Sequence, residues 1–267
     1  MRTLRPPFKC HGGKRYLSKW IIEQLPTDHQ EMVYLEPFCG GASVLLNKDP
    51  SKEEIINDLD KDIIILFRVI RDQCTQFIRK IKKVKYKESN FEIALKRTSL
   101  AENDDLHKAM NEFILRRMSR GGLGKAFAWS NRERGGQPGE INAWETIIDT
   151  LPEISQRLQN VIILNKPAVA VLKVFDEPNV LVYADPPYLQ ETRESPDVYT
   201  HEMLVDDHIA LAEVLNNFKG KVMISGYPSR LYNKLYKNWR CEKKKIANHA
   251  SQQKVKPIKV ELLWMNF

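Results

Sequence analysis

Three short runs of unbroken apolar residues set the architecture: Val161-Ile162-Ile163-Leu164, Val180-Leu181-Val182-Tyr183 and the centre of Lys221-Val222-Met223-Ile224-Ser225. Each is bounded by turn residues and too short for an ordinary helix, which marks strands buried on both faces of a parallel sheet. Met32-Val33-Tyr34-Leu35 and Glu54-Ile55-Ile56 add two earlier strands, and residues 258–266 supply a last one. Helical patterns lie between them at residues 17–24, 168–174 and 208–218, with a further helix beginning at 43–47. The alternation predicts a Rossmann-like, doubly wound α/β sheet.

Residues 61–117 break that rhythm. Ile63, Leu66, Phe67 and Ile70 recur at helical spacing, and Phe113, Ile114 and Leu115 form a second apolar set. A loop at 119–140 follows, then a helix at 142–151 and another that Pro152 starts and that runs to 158. Residues 1–60 and 160–267 are therefore expected to build the sheet domain, and 61–159 a helical insertion. No apolar run approaches the ~20 residues that cross a bilayer. The basic stretch 1–9 lacks the apolar core of a signal peptide, so the expected location is the cytoplasm. Cys10, Cys39, Cys74 and Cys241 form no C-x-x-C pair, and His201 and His208 are not spaced as local metal ligands, so no metal is assigned.

Lys+Arg number 42 against 34 Asp+Glu, a formal charge of +8 that suggests a polyanionic partner. One basic block, residues 79–87, reads as a helix centred on Lys82 and Lys83. A second carries Arg116, Arg117, Arg120, Lys125, Arg132 and Arg134 among Gly121, Gly122, Gly124, Phe127 and Trp129. Arginines for phosphates, glycines that let a loop follow a groove and rings that stack on bases are what a nucleic-acid loop requires.

Three motifs carry chemistry. Ala184-Asp185-Pro186-Pro187-Tyr188 follows a buried strand, and its two prolines fix an extended turn that holds one carboxylate and one ring beyond the strand end. Leu35-Glu36-Pro37-Phe38-Cys39-Gly40-Gly41 is a strand-to-turn passage with small residues. Asp58 ends the next strand and is suited to accept hydrogen bonds from ribose hydroxyls. A nicotinamide dinucleotide is the rival ligand, but the G-x-G-x-x-G fingerprint is absent, which favours a cofactor with ribose and no pyrophosphate. Lys9-Cys10-His11-Gly12-Gly13-Lys14 places a glycine pair between lysines.

Taken together and in this order, K-x-x-G-G-K, the E-P-F-C-G-G-A-S turn, N-D-L-D and A-D-P-P-Y resemble the Dam-like (D12 class) adenine-N6 DNA methyltransferases across essentially the whole chain. Ile224-Ser225-Gly226-Tyr227 and Glu261-Leu262-Leu263-Trp264 are similar to the family's later motifs, most closely in phage and prophage members. The resemblance implies a sheet of the S-adenosylmethionine-dependent methyltransferase type. Cys10, Lys14, Glu36, Pro37, Phe38, Gly40, Asp58 and Asp185 would then border S-adenosylmethionine. Asp185, Pro186, Pro187 and Tyr188 would hold an extruded adenine. The DNA would meet Lys9, Arg116, Arg117, Arg120, Lys125, Trp129, Arg132 and Arg134.

Three positions depart from the family's pattern. Cys10 replaces a frequent aromatic residue, residues 126–138 do not match the loop that reads GATC, and Asn165-Lys166-Pro167 offers no acid against the cofactor's adenine. Cytosine-N4 transfer, for which Ser more often stands in place of Asp185, and a catalytically silent DNA-binding relative are the competing functions. Target sequence, a restriction partner and oligomeric state are not legible.

Overall fold

The apolar runs form the strands of a seven-stranded sheet, in the order β5-β2-β1-β6-β7-β9-β8. The computed structural model describes residues 3–97, 104–130, 132–134, 136–193, 200–247 and 258–267. In chain order the elements are α1 (Ser18–Ile22), β1 (Val33–Glu36), β2 (Glu53–Asn57), α2 (Lys61–Asp72), α3 (Cys74–Ile81), α4 (Glu88–Arg97), α5 (Asp105–Met118), β3 (Glu133–Arg134), β4 (Gln137–Pro138), α6 (Gly139–Leu158), β5 (Val161–Leu164), α7 (Ala168–Val174), β6 (Val180–Ala184), α8 (Val205–Asn216), β7 (Lys221–Gly226), α9 (Arg230–Leu235), β8 (Arg240–Ala247) and β9 (Ile258–Met265). Strand β1 pairs parallel with β2 and β6, β6 parallel with β7, and β9 antiparallel with β7 and β8. The chain leaves β1 toward β2 and β6 toward β7, so the order reverses between β1 and β6. Ligands of open α/β sheets bind outside the carboxyl ends of strands at such a switch point.

The chain divides into two compact units. One comprises residues 1–23, 40–48 and 60–163; the other comprises 24–39, 49–59 and 164–267. This partition differs from the expected boundaries by placing 1–23 and 40–48 with the helices. Specific bonds account for it: Phe8 meets Phe67 edge-on at 5.5 Å, the Leu4 amide donates to Asn47 Oδ1 at 2.9 Å, and Arg157 Nη2 donates to the Leu45 carbonyl at 2.7 Å.

In the helical unit, Asp60 caps α2 by accepting from the Asp62 and Ile63 amides, and Asp104 caps α5 through the Leu106 amide. Phe77, Phe113 and Trp144 pack as edge-to-face and tilted pairs within 5.4 Å. Arg71 and Arg68 of α2 donate to the Val161 and Ile163 carbonyls, each at 2.8 Å. On one side of the sheet unit, Leu35, Ile55, Val182, Ile224 and Trp264 of the strands form an apolar cluster with Leu172, Leu211, Leu215 and Tyr232.

Four local expectations change. Residues 43–47 form hydrogen-bonded turns, because Ala42 takes a left-handed backbone (φ 51°) and the Asn47 amide bonds the Leu4 and Ser43 carbonyls. Helix α6 runs unbroken through Pro152: the six buried apolar residues of its stripe, Trp144 to Leu158, are worth about 1.5–3 kcal/mol each against about 3 kcal/mol for an internal proline. The basic block 79–87 is not one helix. Helix α3 stops at Ile81, after which Lys83 and Val84 donate to carbonyls three residues back, and like charges at Lys80, Lys83 and Lys87 disfavour another turn. The loop 119–140 holds the small β3–β4 hairpin and the start of α6.

Candidate active site

The carboxyl ends of β1, β2, β6 and β7 lie side by side, since Glu36 pairs with Ile56, Leu35 with Val182 and Ala184 with Ile224. Glu36 to Cys39, Asn57, Asp58, Asp185 and Gly226 thus share one edge of the sheet unit. Asp185 comes directly after β6 and is half-buried, Pro186 is buried and Pro187 is half-buried.

Tyr188 is buried, and its hydroxyl donates to Oε1 of Glu261 on β9, itself 2% exposed. Its ring meets Tyr227 edge-on, with centroids 4.8 Å apart at 78°. Behind this pair, the Tyr183 hydroxyl lies 2.9 Å from Ser225 Oγ, and the Tyr34 hydroxyl donates to Glu36 Oε1 at 2.8 Å. Burial first, and then neighbouring carboxylates, hold Tyr34, Tyr183 and Tyr188 well above the usual phenol range. All three therefore remain protonated donors at neutral pH.

The turn after β1 is fastened to β2 by Asn57, which is fully buried. Its amide donates to the Pro37 carbonyl at 2.9 Å and the Lys166 carbonyl at 3.0 Å, while its Oδ1 accepts from the Lys166 amide at 2.9 Å. The Cys39 amide donates to the Asn57 carbonyl at 2.9 Å. Beside this joint, the half-buried Asp58 carboxylate lies 4.0 Å from Cys39 Sγ, and Asn165 donates to the Asp58 carbonyl at 2.8 Å. A carboxylate at the end of β2, next to a turn whose backbone is fixed, fits the two hydroxyls of a ribose. Sequence reading singled out Asp58 but missed Asn57, Tyr227 and the Glu261 bond. The asparagine of N-D-L-D, and the segments ending in Tyr227 and beginning at Glu261 that are similar to the family's later motifs, were the available signals.

In the helical unit, Lys14 is buried and its ammonium donates to the Gly12 carbonyl at 2.8 Å. Gly40 has a φ of 45°, and a Cβ there would stand 3.4 Å from Cys10 Sγ. Gly122, at φ 76°, lets the N-terminal segment lie against it: a side chain there would collide with the Lys9 carbonyl oxygen. Lys9 donates to the Ser119 carbonyl and to Glu140, each at 3.4 Å.

The basic residues singled out from the sequence separate into two sets. Arg116 is held by Asp60 at 2.7 Å and by Glu112, and Arg117 donates to the Ala143 carbonyl at 2.9 Å, with burial pushing its guanidinium down to about 10. Arg120, Lys125 and Arg132 are exposed. Arg134 places its backbone in β3. Trp129 is 49% exposed and stacks with Phe127 at 6.5 Å and 17°, while Phe127 packs inward on Tyr86 and Phe91.

The family model for D12 class N6 adenine-specific DNA methyltransferases matches residues 11–254. The chain belongs to this family. It is 27% identical to the type II methyltransferase M.MjaIII of Methanocaldococcus jannaschii over 99% of both chains. It is 22% identical to the DNA adenine methylase of Haemophilus influenzae, over 97% of this chain and 92% of that one. It is 23% identical to the DNA adenine methylase of Escherichia coli K12, over 94% and 91%. Among solved structures, the rRNA methyltransferase aviRa of Streptomyces viridochromogenes aligns over 92% of this chain and 80% of its own at 12% identity and a TM-score of 0.39, a likeness too loose to bear on function. The chain is thus a DNA adenine-N6 methyltransferase. Among the described residues no helix is long and apolar enough to cross a membrane, and no cluster of His, Cys, Asp and Glu is arranged to hold a metal.

Proposed function

We propose that the enzyme acts in the cytoplasm, takes its methyl group from S-adenosylmethionine, and works on an adenine turned out of the DNA duplex into the carboxyl edge of the sheet unit. When bound, that cofactor supplies a methyl group on a positively charged sulfur. The observation that carries the reading is the half-buried Asp185 carboxylate directly after β6, at the strand edge that also holds Asp58 and the turn after β1.

The adenine amino nitrogen is a poor nucleophile because its lone pair is delocalised into the ring. Asp185 accepts one amino hydrogen and the Pro186 carbonyl accepts the other, which draws the hydrogens out of plane and localises the lone pair. As the new N–C bond forms, the amino group must lose one hydrogen as a proton, and the Asp185 carboxylate bonded to it can take that proton. Pro187 fixes the turn, and Tyr188 forms one wall of the adenine site, offsetting an extrusion that costs a few kcal/mol.

Asp58 accepts the ribose hydroxyls, while Pro37 and Phe38 border the cofactor from a turn that Asn57 holds. Cys10, Lys14, Glu36 and Gly40 are assigned to the same cofactor by motif alone. On the helical unit, Arg120, Lys125 and Arg132 contact phosphates, Trp129 offers a ring to the duplex, and Lys9, Arg116 and Arg117 brace the segments that carry them. The test is transfer of labelled methyl from S-adenosylmethionine into unmethylated DNA, followed by mass analysis of the digested product. N6-methyladenine is expected; label on cytosine, or no transfer, rejects the reading.

A further inference from the structure

Strand β9 ends in Leu262, Leu263, Trp264 and Met265, all buried, and Glu261 begins that run as a carboxylate of 2% exposure. A carboxylate buried this far costs several kcal/mol unless it is well partnered, and an apolar residue there would cost nothing of the kind. Leu263 and Met265, which share its face of the strand, are buried apolar side chains. Among the groups it meets is the Tyr188 hydroxyl, which donates to it.

The register fixes that pairing. Leu262 pairs with Gly226 of β7, so Glu261 stands one residue further along, where β7 runs out toward Tyr227. On its other side the cross-strand partner is the exposed Lys244 of β8. Tyr188 is thus gripped at two points, its hydroxyl by Glu261 and its ring by the edge of Tyr227. Hydrogen bonds to an ionised acceptor are about twice as strong as neutral ones and correspondingly directional.

Resting on the proposed role of Tyr188 at the adenine site, we propose that Glu261 is a positioning residue for methyl transfer: its buried carboxylate fixes the Tyr188 ring against which the extruded adenine is placed. The reaction requires the amino nitrogen to meet Asp185 within a few tenths of an ångström, and a ring free to swing about its side-chain torsions widens that distribution.

The experiment uses the full chain and a duplex carrying the site identified by sequencing of modified bases. Single-turnover transfer rates are measured for the wild type, E261Q, Y188F and the double variant, beside dissociation constants for S-adenosylmethionine and for DNA and the melting temperature. E261Q keeps the shape and an acceptor oxygen but loses the charge. It should slow transfer about tenfold or more with both dissociation constants changed less than twofold, and Y188F should slow it comparably. The double variant should be no slower than Y188F within a factor of two, because the effect of the glutamate on transfer is assigned to its bond with the phenol. A target 2-aminopurine should lose part of its quenching in E261Q, reporting a ring that no longer holds the base.

Multiplying losses in the double variant, or an unchanged rate in E261Q, overturn the proposal. If E261Q does not fold, Y188F decides: wild-type turnover there overturns it, and a tenfold loss with normal melting supports it. A wild type that transfers no methyl to adenine rejects the proposed function instead, so the two failures are distinguishable.

Discussion

Arg116 Nη2 lies 2.7 Å from Oδ2 of Asp60, while the other oxygen of the same carboxyl caps the first turn of α2. One aspartate thereby joins the start of α2 to the end of α5, and Glu112 closes the network from α5 itself. The Arg116→Ala variant leaves both carboxylates without this cation at side-chain exposures of 12% and 14%. A loss of about 3 kcal/mol is expected from breaking one side of a buried pair, read as a lower midpoint in urea unfolding.

Arg120, Lys125 and Arg132 are exposed, and removing them should change DNA affinity without touching stability. For every phosphate that is no longer neutralised, the slope of log K against log salt should become shallower by about 0.9. A triple alanine variant with the parental slope would move the phosphate-binding surface elsewhere. If one of these residues reads a base edge, its single substitution should relax the methylated sequence instead.

Asp185→Ala should abolish transfer while leaving most DNA affinity, because phosphate neutralisation dominates affinity and this carboxylate acts on the amino group. Asp185→Asn keeps one acceptor oxygen and loses the charge and the proton acceptor. A fall of about 10²-fold or more in single-turnover rate is expected. Near-normal turnover of the asparagine variant would contradict the assigned role.

Asp58→Ala should weaken S-adenosylmethionine binding by about 1.5–3 kcal/mol for each charge-assisted hydrogen bond removed, with the methylated sequence unchanged. Calorimetry with the cofactor alone measures it. An unaltered dissociation constant would transfer the ribose bond to another residue.

His208 on α8 is fully buried, its Nδ1 lies 2.9 Å from the Tyr232 hydroxyl, and burial pushes its pKa down to about 4, with Asp207 opposing the effect and Arg193 adding to it. The folded imidazole is neutral, whereas the unfolded one takes a proton below its ordinary value near 6.5. Its contribution is therefore complete above that value and is lost as pH falls toward 4, at up to about 1.4 kcal/mol per pH unit. Urea unfolding between pH 4 and 7 should show a shallower decline for His208→Gln than for the wild type.

The strands of the sheet were legible because an apolar run of four or five residues leaves a chain few alternatives. Strand β5, Val161–Leu164, matches its expected bounds, and helix α7 falls where a helix near 168–174 is expected. Strand β8 was not legible. Arg240 to Ala247 carries five charges in eight residues and reads as a solvated loop, yet it pairs along its whole length with β9, so the partner's apolar residues decide the structure. The site divides the same way. Asp58 and Asp185 announce themselves through proline and glycine punctuation nearby. The bonds of Asn57 to Lys166 and of Tyr188 to Glu261 span 109 and 73 residues, and no local pattern encodes them.

The close approach of the Lys9 carbonyl to Gly122 has a consequence for the order of events during synthesis. Lys9 finds its partners at Ser119 and Glu140, 110 and 131 residues later, and Leu45 meets Arg157 across 112. At the usual rate of about 5–20 residues per second, roughly ten seconds pass between the emergence of the N-terminal segment and that of the helices that receive it. During that interval Phe8, buried in the finished protein, gains Phe67 of α2 as a partner while the later helices are still to be made. The segment around Lys9 thus waits for residues made more than a hundred positions later, and its burial depends on the helical unit folding promptly to cover it.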